Sequence, residues 1–295
     1  MAYAFRQNSG FADQIRAIAI EQIDRAIEAT EARENFDETV HTLRKSCKKL
    51  RALVKLVRPA FADYERENGA FRAIADRFSV ARDAAVMVQT MAHIIEQSGE
   101  RLSGDGIGSL TLLDRLRQRA AHLRGQMGED ELLGLAVDDF RAARQRARAW
   151  QFDASGADIV EPGLERAYRR FRKRLEKARK SPDGETIHDW RKAAKVWWYL
   201  MRLHERTAPS VMDNLTTQLN MLGEALGDHH NLAVLAGWIA SSRGPGDGAS
   251  EVLLTVIADR QTALAEQAFG LGRQLAAERP ATAAGRFRAY RKLLG

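Results

Sequence analysis

Cysteine is almost missing: Cys47 is the only one in 295 residues, so no intramolecular disulfide can form and nothing calls for an oxidising compartment. Long apolar runs are missing as well. No stretch approaches the roughly 18 uninterrupted apolar residues of a membrane span, and the start, MAYAFRQNSGF, lacks the basic segment and apolar run of a secretory signal. The sequence therefore predicts a soluble, unexported, cytoplasmic chain. Proline is scarce, at 6 residues, and β-branched stretches are few, while Ala, Arg, Leu and Glu are abundant. These side chains lose little rotamer freedom in a helix, so an all-α chain with almost no strand is expected. There is no P-loop, paired carboxylate or metal-ligand cluster either, which predicts a non-enzyme with no cofactor and no metal.

What is present is hydrophobic bulk and positive charge. At 45% hydrophobic content the chain can build one large helical domain or two ordinary bundles. The 46 Lys plus Arg against 39 Asp plus Glu give a formal charge of +7, and the pI is near 9.7, which favours acidic partners without choosing among them. Helical periodicity begins near Phe11 and is broken at Gly, Pro and Ser clusters: Arg58-Pro59, 99–109, Gly125 to Gly128, 153–163, 180–185, Pro209 and 241–250.

An internal comparison is informative. His41-Thr-Leu-Arg44-Lys45-Ser-Cys-Lys48 recurs 147 residues later as His188-Asp-Trp-Arg191-Lys192-Ala-Ala-Lys195, sharing H-x-x-R-K-x-x-K. At an offset of 148, Phe71, Ile74, Phe78 and Val86 align with Leu219, Leu222, Leu226 and Val234. Two related halves are therefore expected, 1–150 and 151–295, each a bundle of about four or five antiparallel helices.

His41, Arg44, Lys48, Arg51 and Lys55 step by 3, 4, 3 and 4 along one side of a helix, and Lys45 and Lys49 are expected to widen that cationic rail. Leu43, Cys47, Leu50, Val54 and Val57 lie on a different side, suited to the core. From His41 through Arg58 there are seven Lys or Arg and no acid. An ordinary solvated face mixes signs to gain pairs at i and i+4, so an all-cationic face is more easily rationalised if an anion relieves its repulsion. In the second half His188, Arg191, Lys195, Trp198 and Arg202 repeat the spacing, with Lys192 beside it. The preceding helix adds Arg166, Arg170, Lys173, Lys177 and Lys180 opposite an apolar row of Leu164, Tyr168, Phe171, Leu175 and Ala178.

The duplicated H-x-x-R-K-x-x-K helix, each followed by a helix ending near LGxxRDxxV, resembles the CHAD domain, the conserved histidine α-helical domain, over nearly the whole chain. His41, Arg44, Lys48, Leu50 and Arg51 fit its first motif, Arg82 to Val86 its companion, and His188, Arg191, Lys192, Lys195 and Tyr199 the second. Val196, Trp198 and Asn231 depart from the pattern. The resemblance implies two pseudo-symmetric helical bundles around a basic channel or cleft, polyphosphate binding without catalysis, and, for some members, association with storage granules or polyphosphate-metabolising proteins.

The residue types suit such a ligand. A linear polyphosphate has no bases or sugars, so recognition rests on charge density and oxygen geometry. Arginine offers a planar fork to phosphate oxygens and lysine a movable point charge, and free phosphate or sulfate would mimic the ligand. A histidine beside the polymer should hold its proton more tightly, so affinity is expected to rise as pH falls through the histidine range. Arg141, Arg144, Arg146, Arg148 and the tail RFRAYRKLLG either extend the basic surface or form a solvated face. Trp190 and Trp197 read as core, and His229 and His230, being adjacent, as buried or helix-joint residues rather than metal ligands. Two other functions stay open: sequence-nonspecific nucleic-acid binding, which the net charge permits, and a metal-dependent phosphohydrolase, to which the pair His188-Asp189 points.

Overall fold

The computed structural model describes residues 3–6, 10–32, 35–98, 106–242 and 248–292, and every regular element among them is helical, as the composition predicts. Six α-helices precede Trp150: α1 (Phe11–Ala32), α2 (Phe36–Val57), α3 (Tyr64–Arg77), α4 (Ser79–Gln97), α5 (Gly106–Gly125) and α6 (Glu129–Arg148). After a short 3-10 turn at Gly156–Ile159 come α7 (Glu161–Lys180), α8 (Gly184–Leu203), α9 (Pro209–Ser242), α10 (Gly248–Leu275) and α11 (Pro280–Lys292). Of the expected joints, 99–105 and 243–247 lie outside the described residues. No described helix is long and apolar enough to cross a membrane.

Local chemistry sets the helix ends that matter for the site. Asn35 caps α2, its side-chain oxygen accepting from the Asp37 and Glu38 amides at 2.9 and 3.2 Å. Pro59 has no amide proton to continue the helix, so α2 stops at Val57 and tightens into a 3-10 turn at Arg58–Ala60. Asp183 caps α8 by accepting from the Thr186 amide at 2.8 Å. Between α3 and α4, Ser79 Oγ donates to the Asp76 carbonyl at 2.7 Å while Phe78 turns its ring into the core. This local bond competes with the helical ladder and divides α3 from α4, whereas the aligned stretch of the second half runs on as the 34-residue α9. The first half accordingly has more helices than the four or five its periodicity suggested.

Packing places α2 and α8 at the middle. α2 contacts α1, α3, α7 and α8, and α8 contacts α7, α9 and α2. The row Leu43, Cys47, Leu50, Val54 and Val57 is fully buried, and so are Leu164, Tyr168, Phe171, Leu175 and Ala178 on α7. Each such leucine or valine contributes about 2 kcal/mol by leaving water. Trp190 and Trp197 lie in the core as expected, Trp190 stacked on Phe269 with ring centroids 5.4 Å apart and Trp197 tilted on Tyr168 at 4.9 Å. Helix pairings recur in order: α1 with α2, α2 with α3, α4 with α5 and α1 with α6, then α7 with α8, α8 with α9, α9 with α10 and α7 with α11.

Three of the four arginines near the end of the first half, Arg141, Arg144 and Arg146, are paired within the protein rather than extending a basic surface, while Arg148 is exposed. Arg141 pairs with Glu31 at 2.7 Å, Arg144 with Asp24 at 2.7 Å, and Arg146 grips the buried Glu67 with two bonds of 2.8 and 3.2 Å. The acids of α1 thus tie it to α6. In the tail, Arg288 and Arg291 close on the buried Glu161 and tie α11 to α7.

Candidate functional site

The cationic sides of α2, α7 and α8 meet in one cleft of about 570 Å³. Lys48, Arg51 and Lys55 enter from α2, Arg166 and Arg170 from α7, and Arg191, Lys192 and Lys195 from α8, with Arg58, Arg72, Tyr64 and Tyr199 completing the wall. Eight of the cations singled out in the sequence therefore line a common opening.

Like charges face each other across it. Lys48 feels Arg44 on its own helix, Arg82 from α4, and Arg191 and Lys195 from α8; together with partial burial, the larger effect, they push its ammonium down to about 8. Lys55 is pushed to about 8 by the same burial and by Arg51 and Arg170. Burial and the neighbouring Arg191 also lower Lys195, against the opposing pull of Glu224 and Asp228. Lys48 is open to solvent yet walled by protein, as befits a side chain inside a concavity.

Few acids answer this charge. Among the described residues no carboxylate lies within ion-pair distance of Lys48, Arg51, Lys55, Arg166, Arg170, Arg191 or Lys195. Arg51 donates to the neutral Asn68 side chain at 3.2 Å, and the Nε of Arg191 is buried with no protein acceptor. Neither arrangement neutralises a charge, and guanidinium groups left without a carboxylate in a cleft wall suit an anion's oxygens. At the rim the cations are neutralised internally: Arg58 pairs with Glu65 at 3.0 Å, Arg72 with Asp76 at 3.2 Å and Lys192 with Asp189 at 3.5 Å.

Other sequence candidates sit elsewhere. Arg44 donates to the Ala75 carbonyl at 2.5 Å, anchoring α2 to the end of α3, and Arg82 pairs with its neighbour Asp83 at 2.9 Å. His41 and Lys45 are exposed near the start of α2. His188 is stacked on His230, with centroids 4.2 Å apart; burial first, then Lys192 and Arg191, lowers His188, and burial drives His230 to about 4. Lys173 and Lys177 stand exposed farther along α7, away from the cleft wall. Arg202 pairs with Glu205 at 3.1 Å and, like Lys195, lies over the Trp198 ring.

Lys49 corrects the expected rail. It is buried, donating to Gln22 at 2.8 Å with its ammonium 5.1 Å from the Tyr3 ring centroid. Its position one residue past Lys48 turns it about 100° round the helix, toward α1. In the other direction, Arg58 and Arg72 join the cleft wall although neither is among the residues expected there. Arg58 follows Lys55 by three and was legible as the rail's continuation; Arg72 comes from α3, which no local spacing connects to α2.

Asp189 is held between Arg174 at 3.0 Å and Lys192 at 3.5 Å, a setting for charge balance. Among the described residues no group of three or more His, Cys, Asp or Glu is arranged to hold a metal ion. A larger concavity, about 910 Å³, runs along the outer face of α1, but Asp13, Glu21, Asp24 and Glu28 line it and would repel an anion.

A family model described as CHAD domain matches residues 17–240, a stretch that starts within α1 and ends within α9. Among solved structures the chain is similar to PptA from Streptomyces chartreusis, with a TM-score of 0.62 and 15% identity over 92% of this chain and 100% of that one. At that identity the likeness concerns the fold. No curated protein matches the chain.

Proposed function

Because the chain belongs to the CHAD domain family, we propose that it is a non-catalytic binding module for a long polyanion, inorganic polyphosphate foremost, which the cleft between α2, α7 and α8 takes up. The observation that carries this reading is the set of seven cleft cations without an internal carboxylate partner. Unrelieved repulsion among them disfavours the empty state, and a chain of phosphates would remove it. His41 and Arg82 would extend the path at one end, where Arg82 influences Arg44, Lys48 and Arg191 alike.

The two helix sets, 1–150 and 151–295, are read as two copies of one unit that lean on each other through α2, α7 and α8. The recurring order of helix pairings and the matching His41 and His188 helices support that reading. Binding would serve to target the protein to polyphosphate or storage granules in the cytoplasm, or to organise them with polyphosphate-metabolising partners.

The aromatic rings favour polyphosphate over nucleic acid. Trp198 donates to the Thr216 carbonyl at 3.1 Å and is overlain by Lys195 and Arg202, while Tyr64 is buried with Arg58 over its ring at 4.3 Å, so both rings are already engaged within the protein. A titration with polyphosphates of graded length, on the wild type and on Lys48→Ala/Arg191→Ala/Lys195→Ala, tests the proposal. Tight, salt-sensitive binding that the triple variant loses is expected. Displacement of long polyphosphate by short DNA or RNA at equal phosphate concentration would overturn it.

A further inference from the structure

Lys48 and Lys55 combine three properties that a solvated lysine lacks. They line a cleft, they have no carboxylate partner among the described residues, and other cations share the wall with them: Arg191 with Lys48, Arg51 and Arg170 with Lys55. Lys195, also near Lys48, adds a further positive charge. An ammonium so placed gives up its proton more readily than a free lysine, and the neutral amine is a nucleophile.

We infer that Lys48 and Lys55 are sites of acylation by small acyl phosphates, and that this modification turns down the anion affinity of the cleft. The inference deepens the reading of the cleft as an anion site and rests on it. An acyl phosphate carries both parts the geometry calls for. Its phosphate docks on the guanidinium groups, which holds its carbonyl carbon beside the waiting amine. The Nζ lone pair then forms a bond to the carbonyl carbon, and the bond from that carbon to the phosphate oxygen breaks. Phosphate departs with the electron pair, stabilised by the same guanidinium groups, and takes up the proton that the nitrogen sheds. No oxidant, reductant or metal is needed.

The product is a neutral amide. Since neither lysine holds an internal ion pair, nothing in the fold is broken, and the repulsion with Arg191, Arg82 and Arg170 falls. Acylation should therefore leave the folded protein as stable as before, or more so, while weakening its hold on polyphosphate. Chemical damage would lower both together.

The test is to incubate the full chain with acetyl phosphate, with and without sulfate as an unreactive competitor, and to follow acetylation of each lysine by peptide mass mapping. Lys48 and Lys55 should react about tenfold faster than the exposed Lys173, Lys177 and Lys180, because a larger fraction of each is neutral. Sulfate should slow only the two cleft sites. Lys48→Arg/Lys55→Arg, shown to be folded by its melting curve, should lose the fast labelling while Lys173, Lys177 and Lys180 keep their slow rates. Labelling of the two cleft lysines at the rate of Lys173, or fast labelling indifferent to sulfate, would overturn the inference while leaving polyphosphate binding standing. Fast, sulfate-protected labelling in a protein that ignores polyphosphate would keep the acylation site and discard the polymer as its ligand.

Discussion

Gly163 lies so close to Leu56 that a Cβ on it would stand 1.5 Å from the Leu56 carbonyl oxygen. The contact is backbone against backbone, so no side chain can swing aside. Only a residue without a Cβ lets the first turn of α7 cross the last turn of α2 at this distance. The crossing brings Arg166 and Arg170, the next residues along that face of α7, beside Lys55 and closes one side of the cleft.

Gly163→Ala should therefore cost about 2 to 3 kcal/mol, as an overpacked contact that only a backbone shift can relieve. It should also weaken polyphosphate binding by pushing α7 away. Gly134→Ala, in the interior of α6 with nothing within 4 Å of the added Cβ, is the control and should stabilise by about 0.5 kcal/mol. Urea melts of the two variants check this, and equal stability would show that the crossing tolerates a side chain.

Lys48→Met should separate stability from function. Removing a cation that has only cations near it should raise the melting temperature by about 2 °C while lowering the affinity for polyphosphate. Calorimetry and a binding titration on one preparation suffice. A lower melting temperature would mean that the ammonium makes a stabilising contact.

Glu67→Ala should do the reverse. The Glu67 carboxylate is fully buried and held by Arg146 and Arg66, joining α3 to α6. Its loss strands Arg146 and should cost roughly 3 kcal/mol. Because the strut stands outside the cleft wall, polyphosphate affinity measured well below the melting point should stay within about twofold of wild type. A large loss of affinity would connect this strut to the site.

Two pH windows follow from the displaced groups. Lys48, Lys49 and Lys55, pushed to about 8, release protons in the folded protein that the unfolded chain keeps until its ordinary lysine range. The unfolded chain therefore binds more protons above pH 8, and stability should rise with pH between 7 and 9. Cys47, raised by burial from 9.0 to about 12, acts in the opposite sense from about pH 9 upward, and Tyr199, raised from 10.0 to about 12, from about pH 10, so the three lysines set the trend below pH 9. Polyphosphate affinity should fall over the same interval, since the ligand needs the protonated amines. Below pH 6.5 the unfolded chain protonates His204 and His230, which burial holds to about 4 in the folded state, so stability should decline toward pH 4. Melting curves and titrations at pH 4, 5, 6, 7, 8 and 9 read all of these trends; stability that falls from pH 7 to 9 would contradict the lysine assignment.

His41 and His188 show how far spacing alone can be read. Their place on helices was legible from the 3 and 4 steps, and so was the apolar row from Leu43 to Val57 that seats α2. The stacking of His188 on His230 was not legible, because it joins α8 to α9 across 42 residues. The same holds for Arg144 and Arg146, which read as surface charge until Asp24 and Glu67 arrive from other helices. Lys49 was misassigned because a cationic run suggests a wide exposed face, whereas the helix turns about 100° per residue and carries Lys49 toward Gln22.

By itself, the sequence determined that this protein is helical, where most helices start and stop, which side of α2 and α7 is apolar, and that α2, α7 and α8 each carry a cationic face. Those are properties of period, capping and composition, which act over a few residues. Tertiary structure alone decided which of the cations converge, which are neutralised by Glu65, Asp76 or Asp189, and that α7 crosses α2 at Gly163. Those outcomes depend on distances between residues far apart in the chain, and no local pattern encodes them.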